Sequence, residues 1–277
     1  MSDEQSRFQE INFLFPEGKD KALTFSYDDA QVYDRRLVSI FDQHDMKATF
    51  HLNSSTLDRE GFVTRSEIKQ LYVNHEIACH GVTHPFFNQL SQAQTVAELY
   101  EDRRELEQYS GRIVRGLSYP FGVYSDNLIE TALKLGIVYS RTVNSTMDFA
   151  LPTDFMRWNP TCHHDQVTDA LLSDFLNPPP FRGMALLYIW GHSYEFERDS
   201  KWEHIHGICE KLQGREDVWY ATNIEIYDYV TAVRGLTMSV DGHILYNASA
   251  LPVWFLTGGK VYCLAAGEQM SFEQFAY

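Results

Sequence analysis

Residues 20–29 read DKALTFSYDD, a short β-prone run that ends on two adjacent aspartates, Asp28 and Asp29. Helical spacing follows at once, with Tyr33, Leu37, Ile40 and Phe41 at i, i+4, i+7 and i+8. The alternation then repeats. ATFHLN (48–53) reads as a strand, 65–73 as a helix carrying Ile68 and Leu71, and EIACHG (76–81) as the next strand. Val96, Leu99, Arg103 and Leu106 recur by three and four before Gly111, which is placed for a helix C-cap, and IVRGLSYP (113–120) follows as strand. Leu128, Ala132 and Leu135 mark a helix closed by Gly136, IVYSRTV (137–143) a strand, and Val167, Leu171 and Phe175 a helix stopped by Pro178, Pro179 and Pro180. MALLYIWGH (184–192) is so uniformly apolar that it reads as a strand covered on both faces. About seven such units in roughly 230 residues imply a parallel sheet, and favour a distorted (β/α) barrel of the α/β class over an open sheet.

The pattern changes after Arg234. From LTMSVDGHILYN to VWFLTGGKVYCLAAGEQM the chain reads as three or four short strands with turns at DG and GG, and no helix. Residues 1–235 are therefore expected to form the barrel and 236–277 a small β appendage packed on it.

Composition excludes several classes. A chain of 277 residues with 44% hydrophobic and 14% aromatic content has the material for a large core, which a disordered segment lacks. A formal net charge of −15 disfavours nucleic acid as partner, because a phosphate backbone selects a basic face. Cys79, Cys162, Cys209 and Cys263 show no C-x-x-C spacing, so neither a zinc knuckle nor a disulfide framework is indicated. The opening MSDEQSRFQE lacks a basic start leading into an apolar run, and no stretch of 18 apolar residues occurs, so no membrane partner is expected and the compartment is read as cytoplasmic.

The polar residues gather at one end of these strands. Asp28 and Asp29 close the first, His80 follows the third, Pro120 and Phe121 close the fourth, and His192 ends the apolar strand. In a β/α barrel the C-terminal strand ends are where chemistry sits. Two imidazoles and a carboxylate that leave a coordination position open form a catalytic zinc-type site. His80 and His84, four apart, are expected on one face of a helical turn. Adjacent aspartates in a strand point to opposite sides, so one is free to ligate while the other reaches the attacking water.

These stretches together resemble the polysaccharide deacetylases, carbohydrate esterase family four. TFSYDD is similar to the first motif, T-F-D-D, with an insertion before the aspartates; His80-Gly81-Val82-Thr83-His84 is similar to H-[S/T]-x-x-H, with Gly81 at the Ser/Thr position. Ser118-Tyr119-Pro120-Phe121-Gly122 resembles R-x-P-[F/Y]-G, and Ile189-Trp190-Gly191-His192 resembles L-x-x-H. The resemblance implies that Asp29, His80 and His84 hold a divalent metal, zinc by default with cobalt, manganese or nickel as alternatives. It implies Asp28 as general base, the Phe121 backbone N–H as oxyanion donor, and His192 as the acid that protonates a departing amine. Ile189 would line the acetyl pocket, with Trp158, Trp190 and Tyr119 as further substrate contacts.

Two positions depart from the family. Ser118 stands where its base-orienting arginine belongs, and Arg157-Trp158 stands where an Asp-Trp pair is usual. Arg157 is therefore expected to grip Asp28 from a different strand end. Glu195, three residues past His192, is placed to orient its imidazole. Cys79 reads as core, Cys162-His163-His164 as a surface cluster at a helix N-terminus, and His204 and His206 as helix surface. Trp190 and Tyr194 suit either sugar stacking or barrel packing. The resulting expectation is a metal-dependent hydrolase that removes an N-acetyl or similar acyl group from a small carbohydrate or amide. The alternatives are a carbohydrate-binding module on the same fold that has lost turnover, and a cyclic amide or imide hydrolase.

Overall fold

The strand Lys21–Asp28 is buried from end to end, as a run covered on both faces must be, and the rest of the sheet is arranged about it. The computed structural model describes residues 11–179 and 183–272; Pro180, read from the sequence as part of a helix stop, lies outside the described residues. In chain order the first elements are β1 (Asn12–Leu14), β2 (Lys21–Asp28), α1 (Asp34–Gln43), β3 (Ala48–Leu52), α2 (Ile68–Leu71), β4 (Glu76–Cys79), α3 (Gln92–Ser110) and β5 (Gly116–Ser118). Then come α4 (Asp126–Lys134), β6 (Tyr139–Arg141), β7 (Cys162–His163), α5 (Asp169–Leu176), β8 (Ala185–His192), α6 (Ser193–Arg198), α7 (Trp202–Leu212), β9 (Val218–Tyr220) and α8 (Asn223–Arg234). Five short strands follow among the described residues: β10 (Thr237–Met238), β11 (Ile244–Tyr246), β12 (Val253–Thr257), β13 (Lys260–Leu264) and β14 (Gln269–Ser271).

Eight strands pair in parallel in the order β6-β5-β4-β3-β2-β8-β7, with β9 joined to the start of β2. Flat, the four steps from β2 to β6 would separate them by about 19 Å. Yet the Arg141 guanidinium on β6 hydrogen-bonds the Asp28 carboxylate on β2, so the sheet curls into a barrel. The segment before β7 narrows the remaining gap: Trp158 N–H donates to Ser140 O (3.0 Å) and accepts at its own carbonyl from Thr142 N–H (2.9 Å). Outward residues Leu23, Phe25, Tyr27, Phe50, Leu187 and Ile189 pack beneath the helices. Ala22, Tyr139, Trp158 and Tyr188 form a second core with Ile226, Tyr229 and Val230 of α8.

Local signals explain most boundaries. Ser91 and Gln94 form a capping box at the start of α3, and Gly111 ends it in the left-handed conformation at φ 69°. The helix expected over 65–73 is shorter, a single turn at Ile68–Leu71 that buries Ile68 and leads directly to the buried Tyr72. The C-terminal strands form two antiparallel three-stranded sheets, β1-β12-β13 and β10-β11-β14. Five strands rather than three or four therefore follow Arg234, and the N-terminal β1 enters one of their sheets. Tyr229 of α8 fastens that sheet, donating to Leu14 O and accepting from Trp254 N–H (3.1 Å). Among the described residues no helix is long and apolar enough to cross a membrane.

Candidate active site

Register fixes the site. Asp28 at the end of β2 pairs with His51 on β3 and His192 on β8, and partners in a parallel ladder point to the same face, so all three side chains enter the barrel mouth. Asp29 does not behave as a second strand residue pointing away. Its φ of 83° turns the chain out of the extended region, so that Asp29 Oδ1 and Asp28 Oδ2 each lie 3.7 Å from His80 Nε2. His80 and His84 likewise share no helical turn. They are joined by a loop in which Gly81 and His84 have φ values of 77° and 56°. A Cβ at Gly81 would stand 2.9 Å from Pro85 Cδ, which is why glycine replaces the serine or threonine expected there. Left-handed backbone recurs at Ala30 and Phe121, so strained residues concentrate around this mouth.

The loop is tied down from α3. Asp102, wholly buried, accepts from His80 N–H (3.0 Å) and Ser54 N–H (2.8 Å), Glu98 accepts from Thr83, and the Asn53 amide donates to the carbonyls of His80 and Gly81. The buried row of α3 is accordingly Thr95, Leu99, Asp102 and Leu106, whereas Val96 is exposed.

His80, His84 and Asp29 bring one donor atom each to a common point. His84 Nε2 lies 3.8 Å from Asp29 Oδ1. Donors at about 2.0–2.1 Å around a tetrahedral zinc stand roughly 3.4 Å apart, so the two imidazole–Asp29 distances need to close by only a few tenths of an ångström. His80 Nδ1–H donates to Ser118 O (2.9 Å), which leaves the Nε2 lone pair facing the point. The donor set therefore fits a divalent ion of the zinc class.

The arginine on Asp28 is Arg141, which the sequence reading missed. Fully buried on β6, it bonds Asp28, donates from Nε to Ser26 Oγ (3.1 Å) and from Nη1 to Thr142 O (3.0 Å), and stacks 4.3 Å over the Trp190 ring. Arg157 instead lies 41% exposed on the rim and pairs with Asp154 and Asp126 (2.6 Å), because its 3₁₀ turn at Phe155–Arg157 projects it outward. Ser118 keeps a smaller role: its hydroxyl donates to Asp28 Oδ1 at 3.1 Å. Burial pushes the Asp28 carboxyl up, but Arg141, His80 and His51 together outweigh it and hold it well below its usual range. Burial drives the His80 imidazole down to about 3, keeping it neutral. For His192 burial works downward, and hydrogen bonding to Glu195 with the charges of Asp28 and Asp29 carries it above its ordinary value.

Three expected substrate contacts lie elsewhere. Tyr119 is buried and donates to Met156 O (2.8 Å), Trp158 is packed between Tyr139, Phe155 and Tyr188, and Ile189 faces the helix-side core because it alternates with the inward Trp190. Nor are Cys162, His163 and His164 a surface cluster: Cys162 and His164 are fully buried and His163 is half-buried beside Glu195. Cys79 is core, as expected. Phe121, half exposed, stacks on Phe86 at 3.8 Å and meets the His84 ring edge-on at 4.4 Å.

Residues 16–140 match the family model "Polysaccharide deacetylase". Among solved structures the chain is similar to a Mycobacterium smegmatis protein classed as a polysaccharide deacetylase, at 19% identity and a TM-score of 0.58 over 82% of this chain and 95% of that one. It is also similar to a family 4 carbohydrate esterase from Streptomyces lividans in complex with acetate, at 15% identity and a TM-score of 0.50 over 73% and 93% of the two chains. Against a Streptococcus pyogenes deacetylase, PplD, the match has 21% identity and a TM-score of 0.42, with 43% of this chain and 55% of that one covered. The first two likenesses bear out the barrel fold. No curated protein matches the chain.

Proposed function

We infer, from the polysaccharide deacetylase match of residues 16–140, that this protein is a metal-dependent hydrolase removing an N-acetyl or similar acyl group from a carbohydrate or small amide. The observation that carries the reading is the convergence of Asp28, Asp29, His80, His84 and His192 at one strand-end mouth, with ring nitrogens and carboxylate oxygens 3.7–3.9 Å apart.

Asp29, His80 and His84 would hold a divalent cation, zinc first with cobalt, manganese or nickel as alternatives, which when bound supplies Lewis acidity to the carbonyl and to the attacking water. Asp28, ionised and fixed by Arg141, takes the proton of that water. The Phe121 backbone N–H is assigned to the oxyanion that forms as the carbonyl becomes tetrahedral. An amine leaves poorly as an anion, so His192 protonates its nitrogen as the C–N bond breaks. Trp190, on the inner face beside Arg141, and the exposed Phe86 and Phe121 pair offer aromatic surface to a ring-bearing substrate.

The departures at Ser118 and Arg157 are what favour a binding module without turnover. Arg141 makes on Asp28 the contact that a base-orienting arginine would make, which favours the enzyme. The test is metal analysis of the purified protein together with acetate release from a panel of N-acetylated sugars, with cyclic amides and imides alongside. A protein that binds no divalent ion and releases nothing from the panel refutes the reading.

A further inference from the structure

His192 has a second nitrogen, and its surroundings are built rather than incidental. Glu195, in the first turn of α6, places one oxygen, Oε2, at 3.0 Å from the His192 backbone N, 3.3 Å from His192 Nδ1 and 3.0 Å from His163 Nε2. His163 ends β7, the strand beside β8. Its Nδ1 accepts from Asp165 N–H at 3.3 Å, so in the neutral ring the hydrogen sits on Nε2 and is donated to Glu195.

That tautomer decides between two readings. His163, His192 and Glu195 each bring a donor atom to one point, as a cation site would need. A ligating Nε2 must be bare, with the hydrogen moved to Nδ1, where it would face the Asp165 N–H. The arrangement is therefore a hydrogen-bonded chain. By the same logic His192 Nδ1–H donates to Glu195, and His192 Nε2 is left facing the site, 3.9 Å from Asp29 Oδ2.

The wall behind this chain is closed. His164, fully buried, lies with its ring 4.1 Å from that of His163, and a Cβ at Gly191 would stand 2.0 Å from its Nδ1. Glycine between Trp190 and His192 is thus what admits His164 behind the acid histidine.

We propose that Glu195, held by His163, is the positioning carboxylate of His192, doing for the acid what Arg141 does for the base. The proposal rests on the deacylation reading above. In the step it serves, the proton on His192 Nε2 passes to the amine nitrogen, which departs with the electron pair of the C–N bond. Glu195 keeps its charge and its hydrogen bond to Nδ1–H throughout, so the imidazole neither rotates nor exchanges tautomer between turnovers.

The experiment exploits the leaving group. An N-acetyl amide needs the acid, whereas an aryl acetate expels a phenolate that needs no proton. In the metal-loaded protein Glu195→Gln should lower kcat on the amide by roughly 10²-fold with KM within about threefold, while aryl acetate turnover falls by less than about threefold. His163→Gln, which retains an N–H donor near the Nε2 position, should lose under about fivefold on the amide, and His163→Ala about tenfold or more. Equal losses on amide and ester, or no loss on the amide, overturn the proposal. If the wild type hydrolyses neither compound, the deacylation reading falls on its own. The positioning claim is then read from the ¹⁵N shifts of His192: an Nδ1–H ring in the wild type that becomes a tautomer mixture in Glu195→Gln supports it, and an unchanged ring overturns it.

Discussion

Arginines 141 and 157 are the same residue type at the same end of the barrel, and the structure assigns them opposite importance. The Arg141 guanidinium is wholly buried and faces an Asp28 side chain that is 3% exposed. Arg157 meets Asp126 and Asp154 side chains that are 95% and 42% exposed. Removing one partner of a buried pair leaves an uncompensated charge, so Arg141→Ala should cost about 3–5 kcal/mol, or roughly 6–20 °C in Tm for a chain of this size. Exposed pairs contribute little, and Arg157→Ala should leave Tm unmoved. The pH dependence supplies the sign. In the wild type the Asp28 carboxyl sits below its ordinary 3.8, so its stabilising contribution is present above that pH and lost as pH falls through the depressed value. Without Arg141 the largest influence, burial, which pushes upward, meets less opposition. The variant's Asp28 then takes up its proton at a higher pH, and the stability gap to wild type should narrow as pH falls from about 8 to 5. Urea unfolding of both variants and wild type across that range is the assay. An Arg141→Ala protein as stable as Arg157→Ala, or a gap that widens on acidification, would refute the assignment.

Three further outcomes follow from the same geometry. His80→Ala should remove both bound metal and acetate release, since it deletes one of three donors and its hydrogen bond to Ser118; full metal occupancy by elemental analysis in that variant would sink the ligand set. Asp28→Asn should keep the metal and lose turnover, by roughly 10²-fold or more if this carboxylate is the base, and near-normal rates would point to another group. The pH–rate profile should rise with deprotonation of the depressed Asp28 and fall with deprotonation of His192, whose raised value puts the alkaline limb above the ordinary imidazole 6.5; a fall beginning well below 6.5 contradicts the role of Glu195 and Asp28 in holding that proton.

What could be read from the sequence depended on periodicity. Strand–helix alternation located β2, β3, β4, β8 and the long helices, because buried faces impose a repeat on the chain. The site residues at strand ends were legible for the same reason: Asp28, His80 and His192 sit where apolar runs stop. The conformations of Asp29 and His84 were not, since left-handed backbone at an aspartate or histidine leaves no mark in residue type beyond the neighbouring Gly81. Burial of Tyr119 and Trp158 was equally hidden, because an aromatic beside a motif looks the same whether it faces the core or the mouth. Asp102 did leave a sign, an acid in the buried row between Leu99 and Leu106.

Arg141 shows why a displaced contact is hard to find along the chain and simple to account for in space. IVYSRTV was legible as a strand, and an arginine within it should have prompted the question of its partner, since a buried cation requires one. The curled sheet turns its strand ends into a ring, so that a long side chain from any of several strands can reach the same carboxylate. A motif at one strand end can then lose its arginine to serine while another strand supplies the guanidinium, provided its residue points inward at the right level. Tyr139 and Arg141 meet that condition: two residues apart on β6, they share the inner face, where Tyr139 bonds Glu76 lower in the barrel and Arg141 bonds Asp28 at its mouth. Glu195 and His163 stand to His192 as Arg141 does to Asp28, reaching it from the helix after its own strand and from the strand beside it. Asp28 and His192, register partners on β2 and β8, thus sit side by side at the centre while the groups that hold them come from other positions on the ring.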